Sequence, residues 1–459
     1  MIRAPCTADP VSDADTSVTT LDNGVRVLVL RLPYVATAAV SVFVRSGSQH
    51  ESARNSGISH FIEHMAFKGT RSRECQQVNL DAERLGAEVN AHTDKNHTAF
   101  HMRGLAGDAG AFVRMLGDIV RHSTFPEAEL ERERQVILHE YTEDEDDALS
   151  TAFRLFDKAC WGKHALGRPV IGSRANIRRF TRAELAAYTQ QQYTGANTVV
   201  GVAGNVDRDR VVAAALAAFG DMPRGRDNLV AAPDYVGGIR SRRLPGYSQA
   251  HAVLGFPTPG LLGDYPSAVV AAALFGEGMS SPLLDRIRER RGLAYHADCS
   301  ADVTELCGQF VIEATTSPAH LDEYFAEVTR LLREHTGSTD PVGLQRARNQ
   351  ILVRSLCAQE VPSQRLEIAA LDLFAFGRVR SREEMMAGIA AVTPVAVRAA
   401  FTRMLDAGAA VALAGKITKG AEERVARLVT PITARPLPAS SPGSVRLPTP
   451  RSSQGRRNT

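Results

Sequence analysis

Residues 57 to 70 read G-I-S-H-F-I-E-H-M-A-F-K-G-T. On a helix, His60 and His64 stand one turn apart on the same face, so both imidazoles reach a single metal ion, and Glu63 projects beside them. Two neutral imidazoles leave such an ion positive and open, and a carboxylate within reach of its water can remove a proton. Glu63 is the candidate base. The plain alternative is two histidines at helical spacing by accident, on a helix whose Ile58, Phe61, Ile62 and Met65 merely pack.

A third ligand is needed. The acidic stretch after Pro126 carries Glu133 and Glu140, two turns apart on a stripe that also holds Leu130 and Ile137. Carboxylates interrupting an inward stripe are costly unless paired or ligated, whereas exposed acids at this spacing carry no meaning. His139 adjoins Glu140 and points about 100° away on a helix, which argues against joint ligation. His92, His97 and His101 lie in a strand-like stretch and read as satisfied or exposed side chains. Gly276, Gly278 and Met279 read as a helix N-terminal loop capped by Ser280 or Ser281, and no phosphate-cradling glycine loop or G-x-S-x-G is present.

The elements that must hold these groups follow from pattern. Asn23-Gly24 between two β-rich runs predicts a hairpin from Val18 onward, and 36 to 45 predicts the next strand. Helices are expected near 57 to 67, 76 to 86 and 108 to 121, with strands between 88 and 104. Pro126 opens a long helix to about 147, its first turns acidic as the helix dipole favours. The second half repeats the order: strands at 251 to 257, 294 to 302 and 307 to 315, and helices at 266 to 276, 280 to 291, 319 to 335 and 341 to 358. The expected division is a flexible segment 1–17, a metal-binding domain 18–225, a Gly/Pro/Arg-rich linker 226–246, a second domain of the same type 247–434 and a disordered basic tail 435–459.

Composition fits this plan. A chain of 459 residues with 44% hydrophobic and 23% charged residues is long enough for several cores. A net charge of +3 from 54 basic and 51 acidic residues is too balanced for a dedicated nucleic-acid binder. Six scattered cysteines without a C-x-x-C pair fit neither a disulfide framework nor a thiolate zinc site, which points to a reducing, cytoplasmic setting. No apolar run is long enough to span a bilayer, and the first 17 residues lack the apolar core of a secretory signal.

The motif H-x-x-E-H inverts the H-E-x-x-H order of most zinc peptidases. With its surroundings, S-H-F-I-E-H-M-A-F-K-G-T, it resembles the pitrilysin/insulinase class of zinc peptidases, in particular the short members similar to the mitochondrial processing peptidase β-subunit. The resemblance spans about residues 18 to 430. It implies one zinc ion per chain held by His60, His64 and a glutamate about 76 residues beyond, which is Glu140, with Glu133 as a supporting acid. I-R-E-R-R-G-L-A-Y resembles the family's R-x6-Y element and assigns Arg288 and Tyr295 to substrate backbone and oxyanion, an apt use of an Arg and a phenol. Read alone, that segment is an Arg-rich helix followed by a core Tyr. Asn90, Ala91 and His92 match the family's substrate-binding strand, although Asn90-Ala91-His92-Thr93-Asp94-Lys95-Asn96 departs from the usual N-A-Y/S-T-S-R-E.

The expectation is therefore an α+β protein whose two similar halves face each other as a clamshell around a chamber. It hydrolyses extended or unfolded peptides with Glu63 as base, touches neither nucleic acid nor membrane, and pairs as a homodimer or with a related chain. The rivals are a noncatalytic peptide-binding subunit and a peptidase active only with a partner chain.

Overall fold

The computed structural model describes residues 15–430, so the tail expected at 435–459 lies outside the described residues. The first sheet contains β1 (Thr16–Thr20), β2 (Arg26–Arg31), β3 (Thr37–Val44), β4 (Glu88–Thr93), β5 (Thr98–Leu105) and β6 (Thr198–Gly204), in the order β1-β2-β6-β3-β5-β4. The Asn23-Gly24 turn closes the predicted hairpin, with Thr20 opposite Arg26 and Gly24 at φ +92°. Thr16 and Ser17 pair with Leu30 and Val29, so the segment expected to be flexible through residue 17 already belongs to a strand.

The helices of this half are α1 (Ile58–Ala66), α2 (Cys75–Arg84), α3 (Ala109–His122), α4 (Glu127–Asp146), α5 (Ala148–Trp161), α6 (Arg174–Arg179), α7 (Arg182–Gln192) and α8 (Arg208–Phe219). The second sheet contains β7 (Gly238–Arg243), β8 (Ala250–Thr258), β9 (Ala294–Val303), β10 (Gly308–Thr316) and β11 (Ala410–Gly415), in the order β7-β11-β8-β10-β9. Its helices include α9 (Tyr265–Gly276), α10 (Pro282–Leu284), α11 (Leu321–Gly337), α12 (Pro341–Glu360) and α13 (Pro362–Phe376). The single helix expected over 280 to 291 is a short turn, capped by Ser281, that continues as a π-helical turn over Asp285–Glu289.

From β2 onward the first sheet matches the second strand for strand; β1 is an additional edge strand. In both, a parallel pair (β2 with β6, β7 with β11) is followed by three antiparallel pairings, ending on the edge strands β4 and β9. The chain is thus α+β with two halves of one topology. In this correspondence α9 stands where α1 stands in the first half, and its sequence Y-P-S-A-V-V-A-A-A-L-F-G carries no histidine and no carboxylate. Only the first half can hold the metal motif.

Two corrections to the expected domain plan follow. The 226–246 linker includes β7, an edge strand paired to β11, because its Ile239 packs against the second core. The halves also exchange helices. Phe156, Ala159, Cys160 and Trp161 of α5 pack on the second sheet, while Leu366, Ala369, Ala370, Leu373 and Phe374 of α13 pack on Leu28, Leu30, Ala39 and Val199 of the first. A side chain at Gly201 in β6 would meet Leu366 at 2.9 Å, so the bare backbone there admits α13. Burying these apolar faces, at roughly 25 cal/mol per Å², ties each half to a helix encoded in the other. The cores covering the opposite faces contain α1 and α3 in the first half and α9 and α11 in the second.

Candidate metal centre

α1 is positioned before its histidines act. Gly57 at its N-terminus has φ +96°, and a Cβ there would meet the Ile171 carbonyl at 2.6 Å. Glu51, buried, accepts from the backbone N–H of Gly57 at 2.7 Å and of Ser59 at 2.9 Å, satisfying donors that the helix itself leaves free. Ile58, Phe61, Ile62 and Met65 are all buried. The apolar face fixes the helix, and the opposite side presents the imidazoles.

His60, His64 and Glu140 come together from α1 and α4, one ligand atom of each lying within 4.8 Å of the others. His60 Nε2 is 3.5 Å from Glu140 Oε1, and His64 Nε2 is 3.5 Å from Glu140 Oε2. His60 has 12% of its side chain exposed and Glu140 46%, so the group opens on the α4 side. Glu133, one heptad before Glu140, is buried and lies 3.1 Å from His64 Nδ1, and it takes Lys68 Nζ at 2.7 Å. His139 instead meets Glu143, as its direction on the helix requires.

The electrostatics favour a cation here. Burial lowers the His64 pKa, but hydrogen bonds with Glu133 and Glu140 outweigh it and hold the imidazole at about 9. Hydrogen bonds from His60 and His64 hold Glu140 well below the usual carboxylate range. Burial raises Glu133, and its contacts with His64 and Lys68 more than reverse this. The donor set fits zinc. With Glu133 on Nδ1, His64 keeps Nε2 directed at Glu140, the carboxylate–histidine–metal pattern that fixes tautomer and ring orientation. Tetrahedral zinc with bonds of about 2.0–2.1 Å sets its ligand atoms about 3.3–3.4 Å apart, close to the two distances present.

Glu63, on the same helix, accepts from Thr93 Oγ1 at 2.7 Å. Thr93 closes β4, the free edge of the first sheet. Asn90 and Ala91 lie on that strand, with Asn90 Oδ1 accepting from the Ala91 N–H at 2.8 Å and Ala91 packed against the first core. His92 faces the other way, toward α13. Arg288 bonds to Glu289 and Met279, and Tyr295, at the start of β9, is 89% exposed. Neither has a contact with the His60, His64 and Glu140 group among the described residues.

Sequence reasoning missed Glu51, Thr93 and Lys68. Glu51 had no signal beyond lying just ahead of the motif, and Thr93 was visible only as part of the strand beside His92. His97, expected to be satisfied or exposed, is 1% exposed and satisfied at Nε2 by His92 and Glu367, while its Nδ1 has no hydrogen-bond partner.

An α+β pair of matched halves with an inverted histidine motif in one of them defines a metallopeptidase architecture. Residues 26–174 match the insulinase (peptidase family M16) profile, and 179–351 match the peptidase M16 inactive domain. The chain belongs to the M16 family. An uncharacterized zinc protease of Rickettsia felis is 31% identical over 372 residues, 81% of this chain and 90% of its own length. One of Mycobacterium tuberculosis is 34% identical over 416 residues, 88% of this chain and 93% of its own. A protease from Helicobacter pylori has the same fold, with a TM-score of 0.80 at 19% identity, covering 87% of this chain and 99% of that one. Zinc is accordingly the metal that the relatives' names attach to this family.

Proposed function

We propose that the chain is a zinc endopeptidase acting on extended or unfolded peptides, in the manner of a processing peptidase. The observation that carries this reading is the convergence of His60, His64 and Glu140 beside Glu63, with Glu63 tied by Thr93 to an unpaired strand edge. A bound zinc ion supplies Lewis acidity and an activated water. Glu63 takes the proton of the attacking water and passes it to the leaving amine. Glu133 holds the His64 ring, and β4 pairs with the substrate backbone, its free N–H and C=O groups selecting extended chains. Arg288 and Tyr295 stabilise the oxyanion once the halves close on substrate. The five free cysteines among the described residues support a reducing, cytoplasmic setting for this reading.

The second reading is a noncatalytic or partner-dependent subunit, working as a homodimer or with a related chain. What favours it is the exposure of Tyr295 and the pairing of Arg288 with its neighbour Glu289, which leave the centre without an oxyanion donor from the second half. Cleavage of a peptide library by the single purified chain, read by mass spectrometry beside Glu63→Gln, separates the two. The expected result is cleavage by the wild type and a loss of roughly 10²-fold or more in the variant, with zinc retained. Zinc without turnover in the wild type supports the subunit reading.

A further inference from the structure

His92 is the penultimate residue of β4, and His97 stands immediately before β5, the two joined by a tight turn in which the Asp94 N–H bonds to the His97 carbonyl at 2.8 Å. That turn returns the chain so that the two Nε2 atoms lie 3.3 Å apart. Glu367, on α13 from the other half, places Oε1 3.3 Å from His92 Nε2 and 3.4 Å from His97 Nε2. Three ligand atoms thus form a nearly equilateral triangle. Its edges match the roughly 3.3–3.4 Å that a tetrahedral ion with bonds of about 2.0–2.1 Å imposes on its ligands.

Hydrogen bonding alone serves this arrangement poorly. If both nitrogens donate to Oε1, two N–H groups converge on one oxygen with the donor nitrogens 3.3 Å apart. If one is unprotonated, its lone pair accepts from the other imidazole but also faces the carboxylate oxygen. An ion at the centre replaces these conflicts with three bonds. His97 is fully buried against Phe43, whose ring centroid is 5.9 Å away, while His92 and Glu367 keep 39% and 37% of their side chains exposed. The site is therefore rigid on one side and open to solvent on the other. It is also separate from the first centre. Thr93 faces α1, whereas the adjacent His92 points to the opposite face of the sheet.

We propose that His92, His97 and Glu367 form a second divalent-cation site, suited to zinc or a similar imidazole-preferring ion, that clamps the β4–β5 hairpin of one half to α13 of the other. The site stands on geometry independent of the catalytic reading. The test is metal analysis and Co²⁺ absorption on the metal-stripped full chain, titrated with Zn²⁺ or Co²⁺ alone. The wild type is expected to saturate at two ions, with tetrahedral Co²⁺ bands for both. His60→Ala/His64→Ala, Glu367→Gln and His92→Phe should each saturate at one. In the His60→Ala/His64→Ala chain, Zn²⁺ should raise the melting temperature by several degrees, and adding Glu367→Gln should abolish the rise. Saturation of the unsubstituted chain at one ion overturns the proposal, as does an unchanged stoichiometry in both Glu367→Gln and His92→Phe. Two ions in a wild type that cleaves nothing would support this site while sinking the catalytic reading.

Discussion

Thr93 Oγ1 donates to Glu63 Oε2 at 2.7 Å, while the next residue back, His92, meets Glu367 at 3.3 Å on the other face of the same strand. One step of β pleat separates the candidate base from a contact with the second half. The edge strand β4 is thereby tied to the candidate base on one face and to α13 on the other. Thr93→Val should keep zinc at the first centre and lower kcat by roughly 10- to 150-fold, the loss of a hydrogen bond to a charged group being worth about 1.5–3 kcal/mol. Thr93→Ser should restore it. An unchanged kcat in Thr93→Val, or a change confined to KM, shows that Thr93 does not position Glu63.

Glu133 contacts the ring of His64 and takes Lys68, so its removal should act through the metal rather than through substrate. Partners of ligating histidines typically contribute about 10–100-fold in metal affinity or activity. Glu133→Gln is expected to weaken zinc binding at the first centre within that range, measured by chelator competition. Equal affinity in wild type and variant assigns Glu133 to packing alone.

Glu51 is expected to make stability depend on pH. Burial raises its pKa from the ordinary 4.5 to about 7 despite the hydrogen bonds from Ser59 and Gly57 and the nearby positive charge of Arg168. A raised folded pKa means the folded state holds the proton that the unfolded state releases. The contribution of Glu51 to stability is therefore greatest below pH 4.5, falls as pH rises from 4.5 to about 7, and stays lower above it. At about 1.4 kcal/mol per pH unit the gap amounts to about 3 kcal/mol. The melting-temperature difference between wild type and Glu51→Gln should shift against the wild type across that window. A difference independent of pH means Glu51 does not titrate there.

Tyr295→Phe tests whether the second half enters the reaction. Losing one oxyanion donor typically costs on the order of 10² to 10³ in turnover. Because Tyr295 is 89% exposed, its substitution should leave melting temperature and zinc content near wild type. Full activity in Tyr295→Phe would remove the phenol from the oxyanion site and leave the β9 edge free for another role.

Some of this was legible in the sequence by itself. A hairpin at Asn23-Gly24, a histidine pair one turn apart on α1 and an acidic stripe on α4 are properties of short segments. They depend on turn chemistry and on a 3.6-residue period that each segment carries wherever it lies. The resemblance in residues 59 to 70 and the spacing to Glu140 added the third ligand, which periodicity alone left level with Glu133. The tertiary structure decided the rest. An amphipathic helix declares an apolar face but not the sheet that will cover it, so nothing local in α5 or α13 says that each packs on the sheet of the other half. Partner choice is a sum over long-range burial, in which Leu366 of one half lies against Gly201 of the other. For the same reason His97 read as an ordinary histidine until α13 brought Glu367 to it. Ligand atoms far apart in the chain acquire a common geometry only when the packing of the whole places them within 3.4 Å.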